Sequence, residues 1–488
     1  MSRRLALALA LFTAALGLRF GTFVASGADS YGYVSQADLW LNRTLIIDEP
    51  LAADAPWRYS VFTLAPLGYR PADTRGTMVP TYSPGLPLMM AGFKAVAGEN
   101  AKYWVVPLLG ALSVWLTFVL GVHLGGPAAG LLAAFALTFS PAFFFQLMWP
   151  MSDVPVMALW LLSFVLALGS TRYHVAGAGI AAAAAILTRP NLVVLALPLA
   201  ILIAVRGPSW RVRLFRLAVF GLAAAPGPVS VALLNQHLYG SSLASGYGTF
   251  ETIYAARYFR ANVLLYPRWL IETQTPFILL ALAAPGILRR RANADAGRLA
   301  WAGLALAFVV FLSYLWYTPF DHWTYLRFVL PAYPLLLACA AAAFAFLAPS
   351  APRSRALAFA ALVVILGSWG LWQGRDAFNV RAQESRYLAA ARFAKALPDN
   401  AAILCNQHSG SLRYYANRLT LRYEWLAPDV YAEAIDYLHS LGRPVFVVLD
   451  DWERDVFRSR YAGVTDLSWL DRPPALVAAR QVYFYAVP

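Results

Sequence analysis

Asp29 lies a few residues beyond the first apolar segment, in Ser26-Gly27-Ala28-Asp29-Ser30-Tyr31-Gly32-Tyr33, at the mouth of a chain that is otherwise mostly apolar. A carboxylate in such a place is a proton acceptor of the kind that activates weak nucleophiles. A second acid, Asp153, follows in Trp149-Pro150-Met151-Ser152-Asp153-Val154-Pro155. Two arginines stand at similar junctions: Arg189 in Thr188-Arg189-Pro190-Asn191, and Arg327 at the end of Asp321-His322-Trp323-Thr324-Tyr325-Leu326-Arg327. Their planar guanidinium donors suit paired contacts with oxyanions. Tyr33, Tyr82 and His322 in the same segments are candidate substrate contacts. Each group also has a plainer reading. Asp29 and Asp153 are placed to start helices, Arg327 to snorkel at an interface, and Arg189 to serve a proline turn. His322 is as readily a structural hydrogen-bonder, and the tyrosines an aromatic belt. Position raises the acids and arginines above those readings.

The elements that must position these groups are membrane spans. The 488 residues are 60% hydrophobic and only 13% charged, far less charge than a soluble chain carries. The apolar residues come in runs near the ~20 residues that a spanning helix needs. About eleven such runs are predicted, at 5–26, 103–123, 127–147, 154–170, 174–188, 190–205, 215–235, 274–289, 299–318, 328–348 and 356–373. With the N-terminus inside, alternation puts Arg206, Arg213, Arg216, Arg289, Arg298, Arg355 and further arginines on the cytoplasmic side, opposed there only by Asp295. That is the positive-inside pattern. The net charge of +14 is therefore a matter of topology, and no nucleic-acid partner is expected. Arg19, inside the first run, is expected to face the bundle, pair with an acid or snorkel.

The candidate acids and arginines fall among five loops on the other side, which can converge on one site. The first loop, 27–102, is predicted to open with an interfacial helix over Asp29–Leu41, Tyr33, Ala37, Trp40 and Leu41 sharing a face. A second short helix is expected over Leu86–Val96. From about residue 376 to 488 the composition becomes that of a soluble α/β layer domain. Strands are predicted at Ala401–Leu404, Val445–Leu449 and Gln481–Val487, and helices at Ser385–Leu397 and Asp429–Leu441. The tail is long enough for its own core. Asn406-Gln407-His408-Ser409-Gly410-Ser411, after the first strand, lies where such domains bind ligands. Two cysteines without partners and scattered histidines leave no metal-ligand cluster,.

In order along the chain, Asp29, Tyr82-Ser83-Pro84-Gly85-Leu86-Pro87, Ser152-Asp153-Val154-Pro155, Thr188-Arg189-Pro190-Asn191 and Arg327-Phe328-Val329-Leu330-Pro331 resemble the motifs of GT-C fold integral-membrane glycosyltransferases. The likeness is to the bacterial branch related to protein O-mannosyltransferases and the aminoarabinose transferase of lipid A, and it covers residues 1–375. The resemblance implies a polyprenyl-phosphate sugar donor used on the periplasmic face of a bacterial inner membrane. A lipid, glycan or protein acceptor would attack the anomeric carbon with inversion. It makes Asp29 the base and Asp153 the second acid. Arg327 and Arg189, at helix ends on the outer face, are the expected donor-phosphate ligands on their own chemistry,. The lipid A enzymes carry a lysine beside the proline-rich stretch; here Tyr82 and Ser83 take that place, which leaves the phosphate to arginines. No cofactor or metal is expected, although related oligosaccharyltransferases use one. The competing reading is a transporter or flippase of lipid-linked saccharides. It would put ionisable groups at mid-membrane depth, whereas here they gather at the outer ends.

Overall fold

The computed structural model describes all 488 residues except the side chain of Phe250. The chain is mostly helical. Among the described residues five stretches are long and apolar enough to cross a membrane: Glu99–Thr138, Trp210–Tyr239, Ala294–Leu312, Trp323–Leu347 and Pro352–Gln373. Ala256–Gln274 and Pro276–Arg291, bent by 116° at their junction, would make a sixth. Not all of the eleven expected runs appear as single long helices, for two physical reasons. Several runs form shorter apolar helices of 10–17 residues, such as Asp153–Ala167 and Pro190–Val205. The stretch Val105–Thr138 also contains a reversal. Gly126 adopts φ +83°, ψ −178° and is followed by Pro127, and Gly121 then backs directly onto Gly130, which a straight helix would hold about 13 Å away. Two apolar limbs thus pack antiparallel. The second ends near Phe139, so the expected 127–147 run is broken before the short helix Pro141–Leu147. Arg19 does not face the bundle; it is exposed in the last turn of Ser2–Phe20, its guanidinium over the Phe20 ring.

Between the spans and the tail lies the loop 27–102. Its first helix is Asp29–Leu41, and it rests on a second, Gly85–Ala97. The first was expected at the membrane interface with one wet face. Instead every residue from Ser30 to Ala37 is buried, because the tail covers the side that the spans do not. Ile47–Asp48, Thr77–Pro80 and Tyr69–Pro71 form a small antiparallel sheet with Thr77–Pro80 in the middle.

The tail carries a five-stranded sheet. Ala402–Cys405 is parallel to both Leu419–Arg422 and Val445–Asp450. Val482–Ala486 adds antiparallel to Val445–Asp450 and Leu476–Ala478 pairs outside it. The edge strands Leu419–Arg422 and Leu476–Ala478 were not foreseen; at four and three residues they are too short to show periodicity. One face of the sheet closes a core within the tail around Ile403, Leu412, Val448 and Phe484. The other face shares its core with the first loop: Ala52, Trp57 and Leu64 pack among Leu404, Leu421, Leu438 and Phe457. Polar contacts reinforce the junction. The Leu67 amide donates to Ser409 Oγ at 3.1 Å, Arg413 pairs with Glu49, and Tyr414 donates to Asp38 at 2.5 Å.

Candidate active site

Helix ends gather the charged groups. Asp153 opens the helix Asp153–Ala167 without capping it, and Asp29 likewise opens Asp29–Leu41 with no cap hydrogen bond from its side chain. The helix-start reading therefore explains neither carboxylate. Arg189 stands between Arg172–Thr188 and the 3-10 turn Pro190–Leu195, extended at φ −148°, ψ 90°. Pro190 enforces that break, because its ring disfavours helical geometry in the preceding residue. Arg327 projects from the 3-10 helix Trp323–Ala332.

The four groups form one alternating chain of charge. Arg327 Nη1 donates to Asp29 Oδ2 at 2.8 Å and lies 3.9 Å from Asp153 Oδ2. Arg189 Nη2 donates to Asp153 Oδ1 at 2.7 Å and to Ser152 Oγ at 3.0 Å. Tyr33 donates to the same Ser152 hydroxyl at 2.9 Å, and Tyr82 donates to Asp29 Oδ1 at 2.6 Å. Both guanidiniums lie over the Phe328 ring, at 5.0 Å for Arg327 and 5.9 Å for Arg189. Tyr33 and Tyr82 stack with ring centroids 4.6 Å apart, and Tyr247 meets the Tyr82 edge.

The two acids differ in access. The Asp153 side chain is 2% exposed, whereas Asp29 keeps 29%. Asp153 is thus the buried carboxylate, paired with Arg189, and Asp29 is the more open of the two. Burial alone would raise the Asp29 carboxyl, but Arg327, the Tyr82 hydroxyl and Arg189 outweigh it and hold it below the usual aspartate value,. Burial and the adjacent Asp29 push the Tyr82 phenol well up, so Tyr82 stays a donor. Arg189 Nη1 and Arg327 Nε are buried without protein partners.

Two cavities meet at the Asp29–Arg327 pair. One, of about 190 Å³, is lined by Asp29, Asp153, Arg189, Arg327, Tyr82 and Tyr247 among others. The second, of about 470 Å³, lies on the tail side, where Asp29 and Arg327 face Glu384, Arg386 and Gln407. Tyr33 also lines the first cavity. His322 lines neither cavity. It is exposed at the N-cap of Trp323–Ala332, where its ring accepts from the Thr324 amide and meets Thr324 Oγ1. The structure thus gives His322 a capping position in place of the expected substrate contact.

Sequence reasoning passed over the Ser152 hydroxyl, although it lies in a motif already singled out, and Tyr314 and Tyr317, which also line the smaller cavity. The tail side chains at the larger cavity carried no local signal. Among the described residues no group of three or more His, Cys, Asp or Glu could hold a metal ion. The motif glycine Gly85 has a steric role: a Cβ there would overlap the Thr188 backbone and hydroxyl, next to Arg189. Gly85→Ala is expected to cost about 1–3 kcal/mol as that segment is pushed aside, measurable by thermal unfolding.

No protein-family model matches the sequence, and no curated protein does. Solved structures do match. ArnT from Cupriavidus metallidurans bound to undecaprenyl phosphate superposes with TM-score 0.62 over 99% of this chain and 97% of that one, at 13% identity. Arabinofuranosyltransferase AftD from Mycobacteria gives 0.56 at 15% identity, over all of this chain and 40% of that one. Archaeal oligosaccharyltransferase AglB from Archaeoglobus fulgidus, in complex with an inhibitory peptide and a dolichol-phosphate, gives 0.52 at 11% identity, over 94% and 71%. The chain has the GT-C fold. At these identities the likeness is one of architecture. It spans the tail as well as the helical part, so the shared GT-C architecture reaches beyond the 1–375 segment that carried the motif resemblance. Within this GT-C chain two of its few lysines, Lys94 and Lys102, pair with Asp38 and Glu99 and line neither cavity.

Proposed function

We propose that the protein is a membrane glycosyltransferase that moves a sugar from a polyprenyl-phosphate donor to an acceptor hydroxyl or amine. The observation that carries this reading is the Asp29–Arg327 pair standing on the wall common to two cavities. The donor phosphate lies in the smaller cavity against Arg327 and Arg189, whose unpartnered N–H groups await an oxyanion,. The sugar rests against Tyr33, Tyr82 and Tyr247. The acceptor enters through the larger cavity, between Asp29 and the tail residues Arg386 and Gln407. Polyprenyl and dolichyl phosphates in the ArnT and AglB structures support this donor class.

The reaction is a single displacement. Asp29 takes the proton of the acceptor, whose heteroatom bonds to the anomeric carbon from the face opposite the phosphate. The carbon–oxygen bond to phosphate breaks and its electron pair leaves with the polyprenyl phosphate, so configuration inverts. The developing charge falls on two fixed guanidiniums in a largely buried site, where preorganised donors act strongly. We propose metal-independent transfer on this ground: the arginines supply two positive charges where the phosphate leaves. Arrival of phosphate also competes for Arg327. As Arg327 turns toward it, burial raises the Asp29 carboxyl, which makes it a better base at the moment it is needed,.

The arginine asymmetry supports a reading in which this site and the domain of residues 376–488 face the non-cytoplasmic side, the periplasm in a bacterial inner-membrane protein. The purified protein, given defined polyprenyl-phosphate sugars, is expected to release polyprenyl phosphate and form a glycosylated acceptor detected by mass spectrometry. Movement of the intact lipid across vesicle bilayers without cleavage would instead make it a transporter. His322→Ala is expected to cost only about 1 kcal/mol of stability as a lost cap and to leave the transfer rate at wild type, measured in the same assay.

A further inference from the structure

The helices that meet at the Asp29 cavity diverge, at their far ends, around another and larger one. Asp153–Ala167 runs from Asp153 to the carbonyls of Leu168 and Gly169; Pro190–Val205 continues to Arg206; Ala294–Leu312 starts beside Arg298 and leads to Tyr314. Between these far ends is a cavity of about 850 Å³. Arg206, Arg216 and Arg298 line it, with His123 and a single acid, Asp295. Asp295 is already paired with Arg298. Arg206 and Arg216 have no carboxylate partner among the described residues, and the carbonyls they reach belong to consecutive residues, so the two guanidiniums converge on one helix end. Each gives one N–H to a carbonyl, Leu168 at 2.7 Å and Gly169 at 2.8 Å. Arg216 is only 6% exposed, and its Nε is buried without a partner. Two like charges and an orphan donor at one cavity wall are costly unless an anion answers them.

Apart from Ser170 and Asn293, the rest of the cavity lining is apolar. Pro198, Ile201, Leu202 and Val205 form one face of the helix that ends at Arg206, and Leu299 and Ala302 stand opposite. At 1.5 Å per residue this wall extends about 12 Å from the guanidiniums toward the middle of the bundle. A free phosphate has no use for such a wall; an acyl chain does. We propose that this cavity binds an anionic membrane phospholipid, its phosphodiester held by Arg206 and Arg216 and one chain lying along the Pro198–Val205 face. The site is on the side opposite the sugar-transfer cavity and does not depend on how that cavity is read. Basic pockets between the cytoplasmic ends of spans are suited to anionic headgroups.

The test is binding to the full chain in neutral detergent, followed by native mass spectrometry and thermal shift, with phosphatidylglycerol, phosphatidylcholine and inorganic phosphate as probes. Phosphatidylglycerol is expected to bind and stabilise at concentrations about fivefold or more below phosphatidylcholine, roughly one arginine's attraction for an anionic lipid. Arg206→Gln is expected to erase most of that preference. Ala302→Trp, which fills the apolar wall and leaves every charge in place, is expected to abolish lipid binding. Arg216→Gln should act like Arg206→Gln; the two more exposed positions keep the test decisive if the buried substitution fails to fold. Equal binding of the two lipids would overturn the proposal. So would stabilisation by inorganic phosphate that matches the lipid and survives Ala302→Trp.

Discussion

Asp29→Asn is expected to lower sugar transfer by about 10²–10⁴-fold, the range a positioned general base supplies. The amide keeps the shape of the side chain, and its single oxygen can still accept from Tyr82 or from Arg327,, so the cavity should persist while its proton acceptor is gone. Donor binding should change little, because the phosphate is assigned to the arginines. The measurement is single-turnover transfer with saturating polyprenyl-phosphate sugar, beside thermal unfolding of both proteins. Full turnover in Asp29→Asn would sink the base assignment. The matching change at Asp153 has a different signature. Asp153 is 2% exposed and bonded to Arg189 at 2.7 Å, so its loss leaves a buried guanidinium unpaired and should show first as instability.

Arg327→Gln is the second large expectation, and it has two readouts. Removing one preorganised donor from a leaving phosphate is expected to cost about 10²–10³-fold in turnover. The pH profile should move as well. In the wild type Asp29 is held below the usual aspartate value because Arg327, Tyr82 and Arg189 outweigh burial. Its contribution to stability is therefore present above the unfolded carboxylate value and is lost as pH falls through the lower folded value. Without Arg327 the burial penalty remains and its main opponent is gone, so the carboxyl rises. The acid limb of kcat/KM is expected to shift to higher pH in Arg327→Gln, with Arg327→Lys between the two. A drop in rate with an unmoved acid limb would mean that Arg327 touches the phosphate but does not tune the base.

The acids and arginines were legible because each sits at the edge of an apolar run, and because alternation of the runs placed those edges on one side. Proline made Arg189 readable too, since a break before Pro190 is local chemistry. The number of spans was less legible. Hydropathy sees apolar length but not how a run divides into helices: the 154–170 run folds as the buried fifteen-residue helix Asp153–Ala167, and the 127–147 run breaks at Phe139. The interfacial helix was misplaced for a related reason: only the face of Tyr33, Ala37, Trp40 and Leu41 was expected to be covered, yet Ser35 is hydrogen-bonded to Tyr69 and Tyr31 is packed against Gly410. Contacts between residues far apart in the chain leave no periodic trace. His322 shows the opposite error, since its place five residues before Arg327 suggested a shared site, while a 3-10 turn carries the two side chains to different surroundings.

The core that the first loop shares with the tail sets a timetable for biosynthesis. Leu67 meets Ser409 across 342 residues, and Trp57 and Leu64 have few apolar neighbours until the last strands exist. At about 5–20 residues per second on the ribosome, the loop waits roughly 20–70 s after its own translation before its partner emerges. During that interval the peptide bearing Asp29 is delivered to its compartment with one flank bare, so a chain halted before the final hundred residues should be prey to proteases there, however well its helices have inserted.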